Sequence, residues 1–372
     1  MRQAETFCCR LLLAIALAAV MPASGTAQIV RGTVVDSVTL TPMAGVIVTL
    51  FTAEGRLAAE GLTTESGSFA LRAPAPGTYS VDAKRIGSKR ASSPAVSLQQ
   101  GETTNLRLAI SPTAVSLPDV RVRSPNTCGV PVAEGHNLAD LWEDTRAALT
   151  ATRVTLEQHN FSATVVRYTR QLDPGNLSVR HENRSEEFGR ISTQTFSSAS
   201  SDELHRNGYV ISQPDGTWLY HAPDANVLLS DTFLASHCFG VQRGKGSKSK
   251  LIGITFRPVS DRDKTDVIGT LWLDSGTHHL NSSDFRYTQL PNETRHDKVG
   301  GHLEFARLPT GAWIVRRWWL RMPLLSATVK PDLAGLPSIS TIRVFGIQEE
   351  GGEVITATTA DTAVKARKPP ER

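Results

Sequence analysis

Long apolar runs are scarce in this chain of 372 residues, and charges of the two signs nearly cancel. An apolar run near the N-terminus, Leu11 to Val20, is shorter than the roughly 20 residues of a membrane-spanning helix, and Pro22 follows it. Lysine and arginine total 40 against 36 acidic residues, so the composition provides no strongly basic surface. We therefore expect no transmembrane segment in the mature chain and no nucleic-acid partner.

The N-terminal residues have the pattern of an export signal. Arg2 and Arg10 flank the apolar run, and small residues ending at Ala27 follow it. The pattern predicts a signal peptide over residues 1–27 and a mature chain that begins at Gln28. We expect a periplasmic, outer-membrane-associated or extracellular protein.

Cysteine is rare, with 4 residues in the whole chain. Removal of the signal peptide leaves Cys128 and Cys238, an even number in an exported protein, which favours a disulfide between them. The alternative is a reactive or metal-bound thiol, which needs a second cluster of ligands, and neither cysteine is part of a CxxC motif. We expect the disulfide and no metal site.

Common catalytic motifs are also missing. The sequence contains no HExxH, no HxxE pair for a carboxypeptidase zinc and no GxSxG. Residues 240–247 resemble a phosphate loop, but the spacing is one residue short and Gly246 follows Lys245. We interpret this segment, through Lys250, as a flexible basic loop, and we expect no cofactor.

One catalytic candidate is the stretch Leu271-Trp272-Leu273-Asp274-Ser275-Gly276-Thr277, which has the pattern around the catalytic aspartate of pepsin-like proteases. Such enzymes need two carboxylates that share a proton, so a single copy requires a symmetric dimer. A hairpin turn explains the same residues. We favour the turn and keep a hydrolase, specifically a dimeric aspartic protease at Asp274, as the alternative function. The following His278 and His279 are predicted to point to opposite faces and to bind no common metal.

Residues 28–123 alternate short apolar strands with turns and predict a β-sandwich. The segments Gly32-x-Val34-x-Asp36, Ala44-Gly45-Val46-x-Val48-x-Leu50, Thr64-x-x-Gly67-x-Phe69-x-Leu71 and Pro76-Gly77-x-Tyr79-x-Val81 together resemble the carboxypeptidase regulatory-like domain over residues 29–110. The resemblance implies a transthyretin-like, immunoglobulin-like sandwich, also grouped with carbohydrate-binding-like folds, that is not itself catalytic.

Residues 124–355 predict an antiparallel α+β domain with one or two helices. Asn137 is placed to cap a helix with one apolar face, and a second helix is expected near Leu228 to His237. Long strand patterns follow, with chain reversals expected at several glycine turns, including Glu350-Gly351-Gly352. We expect the polar tail, residues 356–372, to be disordered.

The strand Trp313 to Met322 has large apolar residues at positions that alternate between both faces of a sheet. Strict alternation places Trp313, Val315 and Trp319 on one face and Ile314, Trp318, Leu320 and Met322 on the other. One face should pack on the helix that bears Leu141 and Trp142, and the other then needs a cover. Plain core packing explains the strand as well. For the ligand alternative, Trp313, Trp318 and Trp319 are the candidate binding residues.

The unit Gly269 to Asp274, followed by Asp284-Phe285-Arg286-Tyr287, resembles the strand-turn-strand unit of periplasmic lipoprotein carriers. The resemblance implies a curved, half-barrel-like antiparallel sheet. The sequence thus predicts a mainly β, exported, non-catalytic envelope protein. Its expected partners are an apolar ligand, a glycan or an outer-membrane protein.

Overall fold

The computed structural model describes residues 28–111, 138–158, 161–190, 195–196, 198–214, 217–259, 263–331 and 337–359. Strands dominate these residues, as the sequence predicts. No helix within these ranges is long and apolar enough to cross a membrane. The predicted signal peptide, Cys128, Asn137 and most of the tail lie outside the described residues.

Residues 28–110 form two sheets that pack face to face. The strands are β1 Gln28–Asp36, β2 Ile47–Thr52, β3 Leu57–Leu62, β4 Ser68–Ala73, β5 Gly77–Lys84, β6 Ala91–Ser92, β7 Val96–Leu98 and β8 Thr103–Ile110. One sheet has the order β4-β1-β8, in which β1 and β8 are parallel, and the other has the order β3-β2-β5-β6, with β7 also paired to β5. Val34, Val48 and Val81 are fully buried between the sheets, so the predicted sandwich is confirmed.

The remaining chain builds one large sheet with helices beside it. The helices are α1 Leu138–Gln158, α2 Ser201–Asn207, α3 Ala225–Leu229 and α4 Asp231–Ser236. The strands are β9 Phe161–Leu172, β10 Val179–Arg190, β11 Val210–Ser212, β12 Trp218–Tyr220, β13 His237–Arg243, β14 Leu251–Pro258, β15 Asp266–Asp274, β16 Leu280–Thr288, β17 Gly300–Arg307, β18 Trp313–Pro331 and β19 Pro337–Thr359. Nine of them form an antiparallel sheet in the order β10-β9-β19-β18-β17-β16-β15-β14-β13, in which the β9–β10 hairpin extends the meander β13 to β19 at the β19 edge.

Helix α1 covers one face of this sheet, which we call the helix side. Leu141, Ala148 and Leu149 are almost fully buried, which confirms the predicted apolar face. The helix contacts β14, β16 and β18. Thr152 and Thr155 point inward as well, and each hydroxyl donates a hydrogen bond to the carbonyl four residues earlier. Polar residues on this helix face therefore do not leave hydroxyls unpaired.

Several local predictions differ from the structure. Glu350-Gly351-Gly352 is not a turn but part of β19, where each glycine leaves room for an aromatic ring. A Cβ on Gly351 would lie 2.6 Å from the Tyr168 ring, and one on Gly352 would lie 2.4 Å from the Trp318 ring. The predicted flexible loop after Gly240 begins as β13, in which Val241 is buried. Glycine in a strand here marks close packing of a neighbouring side chain.

The sandwich contacts the second part of the chain directly. Arg153 of α1 forms an ion pair of 2.5 Å with Glu60 of β3. The buried Asp144 of α1 accepts a hydrogen bond from the backbone of Gly87. Gly45 lies against Gly311 so closely that a Cβ on either would be 2.2 to 2.5 Å from the other's backbone. These contacts position the sandwich beside α1.

Candidate functional site

A β-bulge in β18 decides which tryptophan faces which side. Glu304 pairs with Arg317 but Phe305 pairs with Val315, so no residue of β17 pairs with Arg316. The extra residue reverses the alternation beyond it. Trp313, Val315 and Trp318 therefore share a face, and Trp319 lies on the other. The face assignment predicted from strict alternation is wrong for this reason.

The helix side of the sheet is almost continuously apolar. One row of directly paired residues crosses from β13 to β18 and consists of Val241, Ile254, Leu271, Ser283, Leu303 and Trp318. Each is at most 5% exposed. Ser283 is the single polar member of this row, and its hydroxyl has no hydrogen-bond partner within the part of the chain that the structure describes.

Ser283 lines a cavity between α1 and the sheet. The cavity has a volume of about 190 Å³. Its walls are mostly apolar, and they come from α1, from the segment around α3 and from the sheet. The lining residues are Leu149, Thr152, Arg153, Leu156, Glu157, Thr195, Pro223, Asp224, Ala225, Asn226, Leu228, Ser283, Leu303, Phe305 and Val315.

Arg153, Glu157 and Asp224 are the charged residues of the cavity lining, and Glu60 pairs with Arg153. Burial raises the pKa of Asp224, whose carboxylate also caps α3 through a 2.9 Å hydrogen bond from the Val227 amide. Burial likewise raises the pKa of Glu60, although the ion pair with Arg153 acts in the opposite direction. The Arg153 Nε is buried without a hydrogen-bond partner among the described residues. The site thus combines an apolar interior with charged groups that are only partly buried.

None of the three predicted tryptophans lines this cavity. Trp313 and Trp318 are each 3% exposed and belong to the core. Trp319 lies on the opposite face, which we call the outer face. There the Arg321 guanidinium lies 4.1 Å from its ring centroid, and the His302 ring stacks on it at 5.8 Å. Trp313 and Trp318 therefore offer no indole to a ligand in this cavity, whereas Trp319 lines a groove on the outer face. Ligand binding by these tryptophans stays a prediction.

Asp274 lies in the turn between β15 and β16. Its Oδ1 accepts hydrogen bonds from the Thr277 amide at 2.9 Å, the Thr277 hydroxyl at 3.0 Å and the Gly276 amide at 3.0 Å. These bonds, with that from the Thr277 backbone the strongest, lower the pKa of Asp274. Every one of them belongs to the turn, which supports the structural interpretation over the protease.

The two adjacent histidines make separate contacts. His278 Nδ1 lies 2.9 Å from Oδ2 of Asp144, and His279 packs edge-on against Trp313 at 5.5 Å. They follow β15 in the turn instead of lying on a strand. No cluster of three or more metal-ligating side chains occurs in the described ranges.

A Ser-His-Asp arrangement that the sequence analysis missed occurs at the end of α4. Ser236 Oγ lies 3.1 Å from His237 Nδ1, and His237 Nε2 lies 3.2 Å from Asp266 Oδ1, without hydrogen-bonding geometry. The histidine ring is stacked at 3.8 Å on Phe233, and His237 and Asp266 are both buried. A histidine base must hold its second nitrogen on the carboxylate, and the His237 Nε2 makes no hydrogen bond to Asp266, so the stacked and buried ring is better explained by packing.

Cys238 is 3% exposed in β13. Its proposed partner Cys128 lies outside the described residues. The disulfide between them therefore stays a prediction.

The cavity was not predictable from local sequence because its walls come from residues far apart in the chain. The available signal was Ser283, a small polar residue at an inward position between strongly apolar strand neighbours. The adjacent Ser282 makes this signal ambiguous, because the sequence alone does not show which of the two serines faces inward.

Comparisons with solved structures give weak matches. GBS52, the minor pilin of Streptococcus agalactiae, is 20% identical over 26% of this chain, with a TM-score of 0.21, and the chain spans about half, 49%, of its length. The shaft pilin SpaA of Lactobacillus rhamnosus GG is 10% identical over 73% of this chain and 91% of its own, with a TM-score of 0.21. A protein of Bacteroides uniformis described as a putative carbohydrate binding protein is 12% identical over 70% of this chain and 98% of its own, with a TM-score of 0.20. Scores of this size carry no argument about function.

The search of curated proteins gives no match. The comparison with family models does give one, and it falls on the sandwich. It confirms the resemblance drawn from the glycine turns and alternating strands. Residues 29–111 match the model of the carboxypeptidase regulatory-like domain.

Proposed function

We propose that this protein is an exported, non-catalytic envelope protein that binds an apolar or amphipathic ligand between α1 and the nine-stranded sheet. The observation that carries the proposal is the cavity of about 190 Å³ at Ser283. An apolar engineered cavity of about 150 Å³ stays dry and binds benzene, so this volume accepts a ring or a short alkyl segment. Export is supported by the charge-flanked apolar run before Gln28.

The buried hydroxyl of Ser283 supports a ligand over an empty core. An unpartnered hydroxyl costs roughly 1 to 3 kcal/mol when it is buried, and a ligand atom that accepts or donates a hydrogen bond there removes this cost. The cavity is smaller than the ~300 to 1,000 Å³ of typical small-molecule pockets. The ligand therefore inserts one apolar part, and the remainder lies toward Asp224 and Arg153.

Residues 28–123 and 124–355 are proposed as the two functional domains. In this arrangement the sandwich positions α1 through the Arg153–Glu60 ion pair, and the second domain holds the ligand. An apolar ligand has better support than a glycan, since Trp319 already has two stacked neighbours. A glycan usually needs an open aromatic face.

Titration with 1-aminoanthracene, a neutral apolar probe whose fluorescence rises in a dry site, tests this function. Leu303→Trp places a larger side chain in the cavity wall, and we expect it to weaken binding at least tenfold. Leu219→Trp is the matched control, because Leu219 is 42% exposed in β12 and lies outside the cavity lining. Equal binding by both variants, with unchanged far-ultraviolet circular dichroism, rules out this cavity as the ligand site.

A further inference from the structure

The outer face of the nine-stranded sheet carries a row of alternating charges with one gap. From β16 to β10 the directly paired residues are Arg286, Gly300, Arg321, Glu349, Arg170 and Glu182. Ion pairs connect the last four: Arg321 to Glu349 at 2.7 Å, Glu349 to Arg170 at 3.3 Å, and Arg170 to Glu182 at 2.7 Å. The row therefore alternates in sign everywhere except at Gly300.

Gly300 leaves an open position between two arginines. Neighbouring strands are about 4.8 Å apart, so the backbones of Arg286 and Arg321 are separated by about 9.6 Å with no side chain between them. A Cβ on Gly300 would lie 2.3 Å from the Phe285 carbonyl oxygen, so no larger residue fits there without a backbone shift. The exposed Arg286 forms no ion pair with any residue in the described ranges.

Two acidic residues near the gap, Asp284 and Asp297, already pair with other cationic side chains. Burial would raise the pKa of Asp284, but hydrogen bonds from His302 and Lys248 and the charges of both lower it to about 2. Asp297 forms an ion pair of 2.7 Å with Lys298. Neither carboxylate pairs with Arg286, so its charge has no partner among the residues that the structure describes.

The gap opens into a groove of about 600 Å³ that Arg257, Arg286, Lys298 and Arg321 line together with apolar walls. Ile268 and Val299 are among the apolar lining residues. A volume of this size is within the range of small-molecule pockets. Guanidinium groups bind phosphate in a bidentate manner. Arg286 and Arg321 both line this groove, and the Arg321 guanidinium also pairs with Glu349.

We propose that this groove binds a soluble small molecule that carries a phosphate group, with the phosphate above Gly300 between Arg286 and Arg321. The phosphate occupies the place where the row lacks an anion, and the organic part lies against Ile268 and Val299. This site is on the face opposite to the cavity at Ser283 and does not depend on it.

Phenyl phosphate, which combines an aromatic ring with a phosphate, is a suitable probe for isothermal titration calorimetry with the full chain. We expect binding that weakens as the salt concentration rises, inorganic phosphate to bind more weakly, and benzyl alcohol not to bind. Arg286→Ala should lower the affinity about tenfold. Arg286→Lys should fall between that variant and the native protein, because it keeps the charge but loses the bidentate geometry.

Arg72→Ala is the matched control, since Arg72 is an exposed strand arginine of the sandwich. The affinity of this variant for phenyl phosphate should equal that of the native protein. Leu303→Trp should also bind phenyl phosphate normally, which separates this site from the cavity. No binding of phenyl phosphate, equal binding by Arg286→Ala, or binding only to phosphatidylglycerol vesicles would each overturn the proposal. Circular dichroism of each variant, with Arg286→Gln as a second substitution, excludes misfolding as the cause.

Discussion

The two faces of the nine-stranded sheet differ in chemistry although the same strands build both. On the helix side, the row through Leu271, Ser283 and Leu303 is buried and apolar except for one hydroxyl. On the outer face, the adjacent row runs through Asp284 and His302 to Trp319 and carries ion pairs and stacked rings. Burial therefore dominates one face and pairing of polar groups the other.

The difference teaches that residue type alone does not assign a function to this sheet. Trp318 and Trp319 are neighbours in sequence, yet one is in the core and the other is stacked between polar side chains. The structure offers ligands an apolar space on one side and, on the other, the charge of Arg286, which has no ion pair within the described ranges. Each face thus suggests a different ligand chemistry.

The largest expected contrast is between these two tryptophans. Trp318→Ala should lower the free energy of unfolding by about 3 to 5 kcal/mol, because it leaves a cavity in the core. Trp319→Ala should cost only about 1 kcal/mol, since it removes stacking on a half-buried surface. Urea unfolding of both variants measures the difference. Equal losses would mean that the two faces are not distinct in burial.

The glycines of β19 sharpen the same comparison. Gly352→Ala pushes a Cβ into the buried Trp318 ring and should cost about 2 kcal/mol, as overpacking in a core does. Gly351→Ala meets the half-buried Tyr168 ring and also the Trp318 carbonyl oxygen at 2.6 Å, so a similar loss of about 2 kcal/mol is expected. Gly189→Ala in β10 is the control, because a Cβ there has nothing within 4 Å. Thermal unfolding should show a clear loss for both β19 variants and almost none for Gly189→Ala, and a β19 variant as stable as Gly189→Ala contradicts the close packing of that glycine against its ring.

Ser283 tests whether the polar group on the helix side is a cost in the free protein. Ser283→Ala removes an unpartnered buried hydroxyl and should raise stability by about 1 kcal/mol. The control is Ser88→Ala, because the Ser88 hydroxyl is also buried but donates a 2.7 Å hydrogen bond to the Arg85 carbonyl. That variant should lose about 1 kcal/mol. Chemical denaturation distinguishes the signs, and destabilisation by both substitutions would show that Ser283 has a partner in solution.

Much of the fold could be predicted because it follows local periodicity. The apolar face of α1, the hairpin at Asp274 and the sandwich each depend on residues close in sequence. The bulge at Arg316 could not be predicted by counting alternate residues, although the adjacent Arg316 and Arg317 interrupt the pattern there. One extra residue transfers every later side chain to the opposite face.

The sites were harder to predict than the strands. The Glu350-Gly351-Gly352 segment predicts a turn because glycine is common in turns, but its glycines accommodate rings from neighbouring strands. The cavity and the charge gap at Gly300 each depend on which residues are adjacent across strands. Residues that are adjacent across strands lie far apart in the sequence. They can be identified only when the register of the strand pairing is known.

The smallest expected effect concerns the pH dependence of the outer face. The pKa of Asp284 is lowered to about 2 in the folded protein, against a usual value of about 3.9 when unfolded. A lowered folded pKa contributes stability that is fully present above the unfolded value and is lost as the pH falls toward 2. Because the Asp284 side chain is 40% exposed, solvent screening reduces this contribution to about 1 kcal/mol. The stability advantage of the native protein over Asp284→Asn should therefore shrink between pH 5 and pH 2.5 in urea unfolding, whereas Glu65→Gln in an exposed turn serves as the control. An advantage that stays constant over this range would show that the hydrogen bonds from His302 and Lys248 do not hold the carboxylate in solution. Asp284 would then be free to pair with Arg286, which would contradict the charge distribution proposed for the groove.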